Sequence, residues 1–169
     1  MKDKQIKGNI EFKETQQIRQ AWLWLLMASP LALMTGLIIM LSDVSKTDMV
    51  GILVLVFAMG LQLVILYLMY ITRFEIAVTG DTIYYRWWPF MKRYAMLSKQ
   101  DIQSADVRKS PFLQLGYKRF SIGYGRIHNA GSEKGIQFVT RAGRKIFIGS
   151  KKIKGFEQAV EKLIPVSLK

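Results

Sequence analysis

Two long stretches without any charged residue constrain the fold of this chain most strongly. They run from Ala21 to Leu41 and from Met49 to Thr72. About 20 apolar residues in a helix are enough to cross a hydrocarbon core of about 30 Å. We therefore predict two transmembrane helices, over residues 21–41 and 49–72. The first stretch is too long for the apolar core of a signal peptide, so we expect it to be retained as an anchor.

The short segment between these stretches, residues 42–48, predicts a helical hairpin. It carries two aspartates and a single lysine, whereas Lys and Arg predominate on both flanks of the hairpin. Such residues are enriched in loops on the cytoplasmic side of a membrane. We therefore expect an external loop and two cytoplasmic termini, with a tail over residues 1–20 and a domain over residues 73–169.

Three small residues, Ala28, Ala32 and Gly36, are four apart in the first predicted helix and form one stripe along it. Such a stripe lets a second helix approach closely. It could pack against the second helix of the same chain, which we favour, or form the seam of a homo-oligomer. Gln62 is a polar residue in the second stretch, and we expect it to form a hydrogen bond in helix packing rather than to line a transport path.

From Arg73 onward the sequence follows the two-residue period of β-strands. Phe74, Ile76 and Val78 alternate with other residues, and further strand-forming segments are separated by turn signals. We expect one strand and a long loop over residues 114–132. Four apolar residues then recur at helical spacing: Phe156, Ala159, Val160 and Leu163. We predict a mainly-β (α+β) domain of about seven antiparallel strands closed by one C-terminal helix.

Three segments carry a resemblance to a known family. They are the polar-aromatic segment at residues 11–24, the segment at residues 120–125, and residues 135–138 with residues 143–150. In this order they resemble bacterial membrane proteins with a pleckstrin-homology-like (PH-like) domain after a two-helix anchor. The resemblance implies a PH-like fold and a multi-pass protein of the bacterial cytoplasmic (inner) membrane. It implies no established chemistry.

The composition excludes several kinds of catalytic site. The chain has no cysteine, so disulfides, thiolate metal sites and thiol nucleophiles are excluded. His128 is the only histidine, which excludes multi-histidine zinc sites, and we expect it to lie in a loop. Asp101 and Asp106 are five apart in a predicted strand, which would place them on opposite faces. We therefore expect a non-catalytic protein without a metal or a cofactor.

The segment Gly123-Tyr124-Gly125 hints at a phosphate-binding loop. However, His128 stands where the third glycine of a GxGxxG motif would be. We therefore assign no phosphate site to this segment from the sequence.

Aromatic and basic residues form one candidate binding turn, which we call the aromatic turn. It consists of Trp87, Trp88, Phe90, Lys92 and Arg93. Exposed indole rings beside cations suit a membrane interface. Alternatively, the aromatic side chains fill the core of the small domain, and the sequence does not decide between these two interpretations.

A second candidate is a series of cations around the last predicted hairpin and the start of the closing helix, which we call the basic series. Its members are Arg141, Arg144, Lys145, Lys151, Lys152 and Lys154. Near an anionic leaflet, each cation gains about 1 kcal/mol. The alternative is a solvated face that also enforces the membrane topology. Cations at a helix N-terminus oppose the helix dipole unless an anion accompanies them.

The formal charge of +13 favours anionic partners. We expect a scaffolding domain at the cytoplasmic membrane surface that binds a partner protein, which could itself be a membrane protein. The alternative is that the domain binds anionic phospholipid head groups directly. We expect no nucleic-acid binding, because no nucleic-acid motif accompanies the charge.

Overall fold

The fold is described from a computed structural model, which describes residues 6–42, 49–110, 115–121, 123–164 and 166–168. It divides into two compact units. One unit is residues 18–71. The other combines the residues up to Gln17 with those from Thr72 onward.

The first unit contains α1 (Ala21–Ser42) and α2 (Met49–Ile71), at the positions predicted from the two uncharged stretches. Both helices are long and apolar enough to cross a membrane. The Nε2 of Gln62 donates a hydrogen bond to the carbonyl oxygen of Met27, so Gln62 takes part in helix packing as we expected. Of the predicted external loop at residues 42–48, Ser42 ends α1 and residues 43–48 lie outside the described residues.

The stripe of small residues does not lie between the two helices. Ala28, Ala32 and Gly36 are all exposed. No atom outside the helix lies within 4 Å of a Cβ built on Gly36. The half-buried residues of α1 include Met27, Leu31, Met34 and Ile38, whose three- and four-residue spacing forms a different stripe. The structure therefore does not bear out the packing that we favoured for the small residues, and the homo-oligomer seam stays a prediction.

The second unit begins with a four-stranded antiparallel sheet. Its strands are β1 (Ile10–Gln17), β2 (Arg73–Thr79), β3 (Thr82–Trp88) and β4 (Ala95–Ser98), in the order β1-β2-β3-β4. In this sheet Gln17 pairs with Arg73, and Arg73 pairs with Trp88. The chain thus leaves the sheet after β1, runs through α1 and α2, and returns in the neighbouring strand.

The second sheet has six described strands and a mixed topology. They are β5 (Ile102–Lys109), β6 (Leu115–Ser121), β7 (Gly125–Ala130), β8 (Lys134–Thr140), β9 (Lys145–Gly149) and β10 (Val166–Leu168). Their order is β10-β5-β8-β9-β7-β6. The pairs β7–β9 and β10–β5 are parallel, and the remaining pairs are antiparallel.

Helix α3 (Ile153–Glu161) follows β9 and contributes to the core of the domain. Its buried residues include Phe156, Ala159 and Val160, and Leu163 just beyond it is also buried, as the helical spacing predicted. Phe138 packs against Phe156 with ring centroids 6.3 Å apart. Full burial of such a side chain stabilises a fold by about 1.5–3 kcal/mol. Two sheets and a helix after the last long strand confirm the PH-like fold class.

The described strands number ten rather than about seven. The segment assigned to one strand and a loop forms both β6 and β7. A further strand, β10, follows the helix that we expected to close the domain. The segment assigned to a tail contains β1. Strand β10 has only three residues and β1 turns polar residues inward, so hydrophobic periodicity did not reveal these two strands.

Strand β1 turns polar side chains inward. Glu14 and Gln16 are buried, whereas Lys13 and Thr15 are exposed. Gln16 Nε2 donates to the carbonyl oxygen of Gly149 at 2.9 Å, and its Oε1 accepts from Ser132 Oγ at 3.0 Å. These contacts tie β1 to the second sheet, because buried polar groups are stable only when they are hydrogen-bonded.

Candidate anion-binding site

A concave pocket of about 400 Å³ lies between the β6–β7 turn and the β8–β9 turn. Its described lining residues are Gly123, Gly125, Arg126, Gly143, Arg144, Lys145 and Ile146. Three of these are cations and none is acidic. We call this site the basic pocket, and its chemistry is that of a receptor for anions.

Glycine at position 125 allows the wall of the basic pocket to form. Gly125 has φ 71°, and a Cβ there would lie 2.1 Å from the carbonyl oxygen of Lys145. Since no side chain fits, glycine lets β7 run close beside β9, where Arg126 pairs with Ile146. The result is that Arg126 and Lys145 reach the same pocket from two strands.

Hydrogen bonds hold both turns of the basic pocket. In the β8–β9 turn, Thr140 Oγ1 accepts from the backbone N–H of Arg144 at 3.1 Å, and Gly143 N donates to the Thr140 carbonyl at 2.8 Å. In the β6–β7 turn, Gln137 Nε2 donates to the carbonyl oxygens of Gly123 and Tyr124 at 2.9 and 3.3 Å. The backbone that carries the cations is therefore fixed by buried side chains.

Two of the cations act on the same buried phenol. Burial raises the pKa of Tyr85, and the positive charges of Arg126 and Arg144 act in the opposite direction. Arg126 belongs to β7 and Arg144 to the β8–β9 turn, and both line the basic pocket.

The basic series divides into two groups. Arg144 and Lys145 line the basic pocket, while Arg141 is exposed in the same turn and does not line it. The three other members, Lys151, Lys152 and Lys154, are exposed around the start of α3. The structure adds Arg126, which the sequence analysis did not select because it lay in a segment assigned partly to a loop. Its one signal was its position directly after Gly123-Tyr124-Gly125.

The lysines at the start of α3 have an internal anion beside them. Glu14 Oε1 accepts from the backbone N–H of Lys151 at 3.0 Å, and Glu14 Oε2 accepts from Ser150 Oγ at 2.5 Å. Ser150 Oγ in turn accepts from the backbone N–H of Lys152 at 3.1 Å. A carboxylate at this end of a helix offsets the unfavourable charge of the lysines.

The aromatic turn divides between core and surface. Trp87 is 2% exposed and stacks on Phe74 with centroids 4.8 Å apart. Trp88 and Phe90 are 43% and 53% exposed. Lys92 and Arg93 are also exposed. The core interpretation is therefore correct for Trp87, and the membrane-interface interpretation stays a prediction for the exposed residues.

Comparison with known proteins identifies the family. The family model described as the bacterial PH domain matches residues 29–143, which is more than half of the chain. This chain belongs to the bacterial PH domain family. No curated protein matched the chain, and no solved structure matched it either. PH domains are generally non-catalytic binding modules, which agrees with a pocket lined by cations and glycine.

His128 has a structural position in the PH domain. It lies in β7 rather than in the loop that we expected, and it is buried. Its ring lies 4.8 Å from that of Tyr85 and 6.3 Å from that of Phe74, measured between centroids. The expectation was wrong because β7 was assigned to a loop.

The two aspartates considered as a catalytic pair lie in different elements of the PH domain. Asp101 is exposed beside β5, and Asp106 lies within the strand, 3.8 Å from Arg108. Over the described parts of the chain, no group of three metal-ligating side chains occurs.

A charged cluster lies on the outer face of the first sheet of the PH domain. Glu75 Oε2 accepts from Arg86 Nε at 2.7 Å and from the Tyr94 hydroxyl at 2.5 Å. The Arg86 guanidinium lies 4.2 Å from the centroid of Tyr94 and 5.9 Å from that of Trp88. Burial alone would raise the pKa of Glu75, but the hydrogen bonds and the charges of Arg86 and Lys13 together lower it. The ionised Glu75 thus anchors Arg86 beside the exposed Trp88.

Proposed function

We propose that this protein resides in the bacterial cytoplasmic membrane and that its PH domain binds anionic phospholipid head groups at the cytoplasmic surface, without catalysis. The observation that carries the proposal is the position of the aromatic turn. Trp88 pairs with Arg73, and Arg73 pairs with Gln17. Exposed aromatic side chains thus lie at the end of the sheet to which the chain segments from both apolar helices connect.

The chemistry of the aromatic turn suits the interfacial region of a bilayer. Trp88 and Phe90 offer exposed apolar rings, and Lys92 and Arg93 offer charges beside them. Aromatic rings insert at the level of the head groups, while cations attract an anionic leaflet. The proposal assigns the domain to the cytoplasmic side because the sequence flanking the apolar helices is basic and the short segment between them is not.

The experiment is hydrogen–deuterium exchange on the full chain in nanodiscs. One set contains phosphatidylcholine alone, and the other contains phosphatidylcholine with phosphatidylglycerol. We expect amides of residues 88–95 to exchange more slowly with the anionic lipid, and this protection to decrease at high salt. The turn at Gly80 and Asp81, at the opposite end of β2 and β3, is the internal control. Identical exchange of residues 88–95 in both lipids would contradict the proposal.

A second candidate function, binding of a partner protein, is supported by strand β4, which is an edge strand of the first sheet among the described strands. Strand β4 is the last strand in the order β1-β2-β3-β4, and Met96 on it is 67% exposed. An extended segment of a partner could add to such an edge through main-chain hydrogen bonds. A photo-crosslinking residue at position 96 is expected to give a discrete adduct in cells. If position 81 gives the same adducts, the crosslinks are non-specific and this function is rejected.

A further inference from the structure

We infer that the basic pocket is a specific site for a phosphate ester, in which Arg126, Arg144 and Lys145 hold the phosphate group. This inference deepens the proposed function and rests on it only where the ester is taken to be a lipid head group. The aromatic turn adsorbs to a charged surface, whereas the basic pocket selects one chemical group.

The arrangement of charge is the first argument. Arg126 reaches the basic pocket from β7, Arg144 from the β8–β9 turn, and Lys145 from the start of β9. No carboxylate is among the described lining residues, so like charges face one another there. An anion with several oxygen atoms removes that repulsion and accepts hydrogen bonds from all three side chains. Guanidinium groups favour phosphate in particular because they bind two of its oxygens at once.

The shape of the basic pocket is the second argument. Its volume of about 400 Å³ is typical of small-molecule sites and leaves room for more than a phosphate group. Gly123, Gly125 and Gly143 present backbone rather than side chains, and Ile146 supplies an apolar surface. The ligand class that fits is an ester with the phosphate on the cations and a polar or glycerol-like group beside the glycines.

Preorganisation of the basic pocket is the third argument. Thr140 and Gln137 fix the two turns through hydrogen bonds to their backbones. Both side chains are buried. A receptor whose backbone is already ordered loses little conformational freedom on binding, so more of the interaction energy appears as affinity.

A second depression in the domain provides a contrast. It has about 390 Å³ and is lined by Lys134 and Lys151 but also by Glu133. The helix N-terminus beside it already has Glu14 as its anion. An external phosphate therefore finds a less favourable field there than in the basic pocket.

The test is a calorimetric titration of inorganic phosphate into the full chain in phosphatidylcholine nanodiscs. We expect saturable binding that is weakened about tenfold or more by Arg126→Gln and by Arg144→Gln, because each removes at least one charge-assisted hydrogen bond. Arg141→Gln is the matched control, since it removes the same charge from the same turn outside the pocket. No saturable binding, or an equal loss in Arg141→Gln, would overturn the inference.

A second arm identifies the source of the phosphate. The titration is repeated in nanodiscs that contain phosphatidic acid or, at equal charge, an anionic lipid whose head group is a carboxylate without phosphate. If inorganic phosphate binds more weakly with phosphatidic acid but not with the other anionic lipid, the result supports a lipid ester in the pocket. Unchanged binding in both supports a soluble phosphate ester. Equal weakening by both lipids is an effect of surface charge alone and would overturn a lipid ester as the ligand.

The two proposals fail separately. Phosphate binding that depends on Arg126, without lipid-dependent protection of the aromatic turn, retains the pocket and rejects the proposed function. Lipid-dependent protection of the aromatic turn without phosphate binding retains the proposed function and rejects the basic pocket as a phosphate site.

Discussion

Glu14 Oε1 in β1 accepts a hydrogen bond from the backbone N–H of Lys151 at 3.0 Å, at the start of α3. The two residues are 137 positions apart, and both apolar helices lie between them in the chain. The contact compensates the charges of the lysines at this helix end. It also makes the segment before the helices part of the PH domain rather than a separate tail.

The first prediction concerns this contact. Glu14→Gln removes the negative charge that faces the start of α3 and weakens the bonds from Lys151 and Ser150. Hydrogen bonds to a buried charged group contribute about 1.5–3 kcal/mol each. We therefore expect a clear decrease in the melting temperature of the full chain in detergent, measured by circular dichroism.

Glu11→Gln is the control for this variant. Glu11 is on the same strand but exposed, and it pairs with the exposed Lys162 at 2.5 Å. Such a surface pair contributes about 0–1 kcal/mol, so its melting temperature should change little. Equal effects of the two substitutions would mean that Glu14 has no special role.

The second prediction is a pH dependence that arises from Glu75. Its pKa in the folded state is lower than in the unfolded chain. The ionised group therefore contributes stability above the ordinary glutamate pKa of about 4.3, and this contribution is lost as the pH falls through the lower, folded-state pKa. The measurement is melting temperature against pH for the wild-type chain and for Glu75→Gln.

For Glu75 we expect the wild-type chain to be more stable than Glu75→Gln at neutral pH. The difference between their melting temperatures should decrease as the pH falls below the ordinary pKa of glutamate. Tyr94→Phe is a partial control, because it removes one hydrogen bond to Glu75 and leaves the bond from Arg86. A difference that stays constant with pH would refute the role assigned to this carboxylate.

The third prediction tests the close approach of β8 and β9. A Cβ at Gly135 would lie 2.4 Å from the carbonyl oxygen of Ile148, which belongs to the paired strand. Because backbone must move to relieve this contact, Gly135→Ala should destabilise the domain by about 1–3 kcal/mol. Gly80→Ala is the control, since nothing lies within 4 Å of a Cβ there. The measurement is the melting temperature of each variant, and a Gly135→Ala variant as stable as the wild-type chain would contradict the close approach of β8 and β9.

The fourth prediction concerns membrane topology. The chain has no cysteine, so single cysteines can be introduced without background labelling. In intact cells, a membrane-impermeant maleimide should label Lys46→Cys, between the two apolar helices. Asp81→Cys, in the turn between β2 and β3, should be labelled only after permeabilisation. The opposite pattern would reverse the proposed orientation.

Much of the fold follows from periodicity in the sequence. The absence of charge in two long stretches predicted α1 and α2, and the alternation at Phe74, Ile76 and Val78 predicted β2. Phe156 and Val160 predicted the buried face of α3. Strand β2 and helix α3 each bury an apolar face, so their sequence pattern reflects their burial, whereas α1 and α2 were predicted from their length and lack of charge.

The elements that were missed are stabilised differently. Strand β1 buries Glu14 and Gln16 through hydrogen bonds to residues far along the chain, and no local pattern reports such partners. Arg126 joins Arg144 only because β7 runs parallel to β9, a pairing between non-consecutive strands. In the aromatic turn, Trp87 and Trp88 occupy opposite environments because adjacent strand residues point to opposite faces.

The most direct test of the proposed function measures the environment of the aromatic turn in a bilayer. Phe90→Cys carries an environment-sensitive fluorophore in the reconstituted full chain, with Asp81→Cys at the opposite end of the sheet as the control. We predict that in anionic vesicles the label at position 90 shifts to the blue and is quenched by lipid-attached quenchers, that high salt reduces both effects, and that position 81 does not respond. A label at position 90 that stays as exposed to water as the label at position 81, in neutral and anionic vesicles alike, would contradict the account.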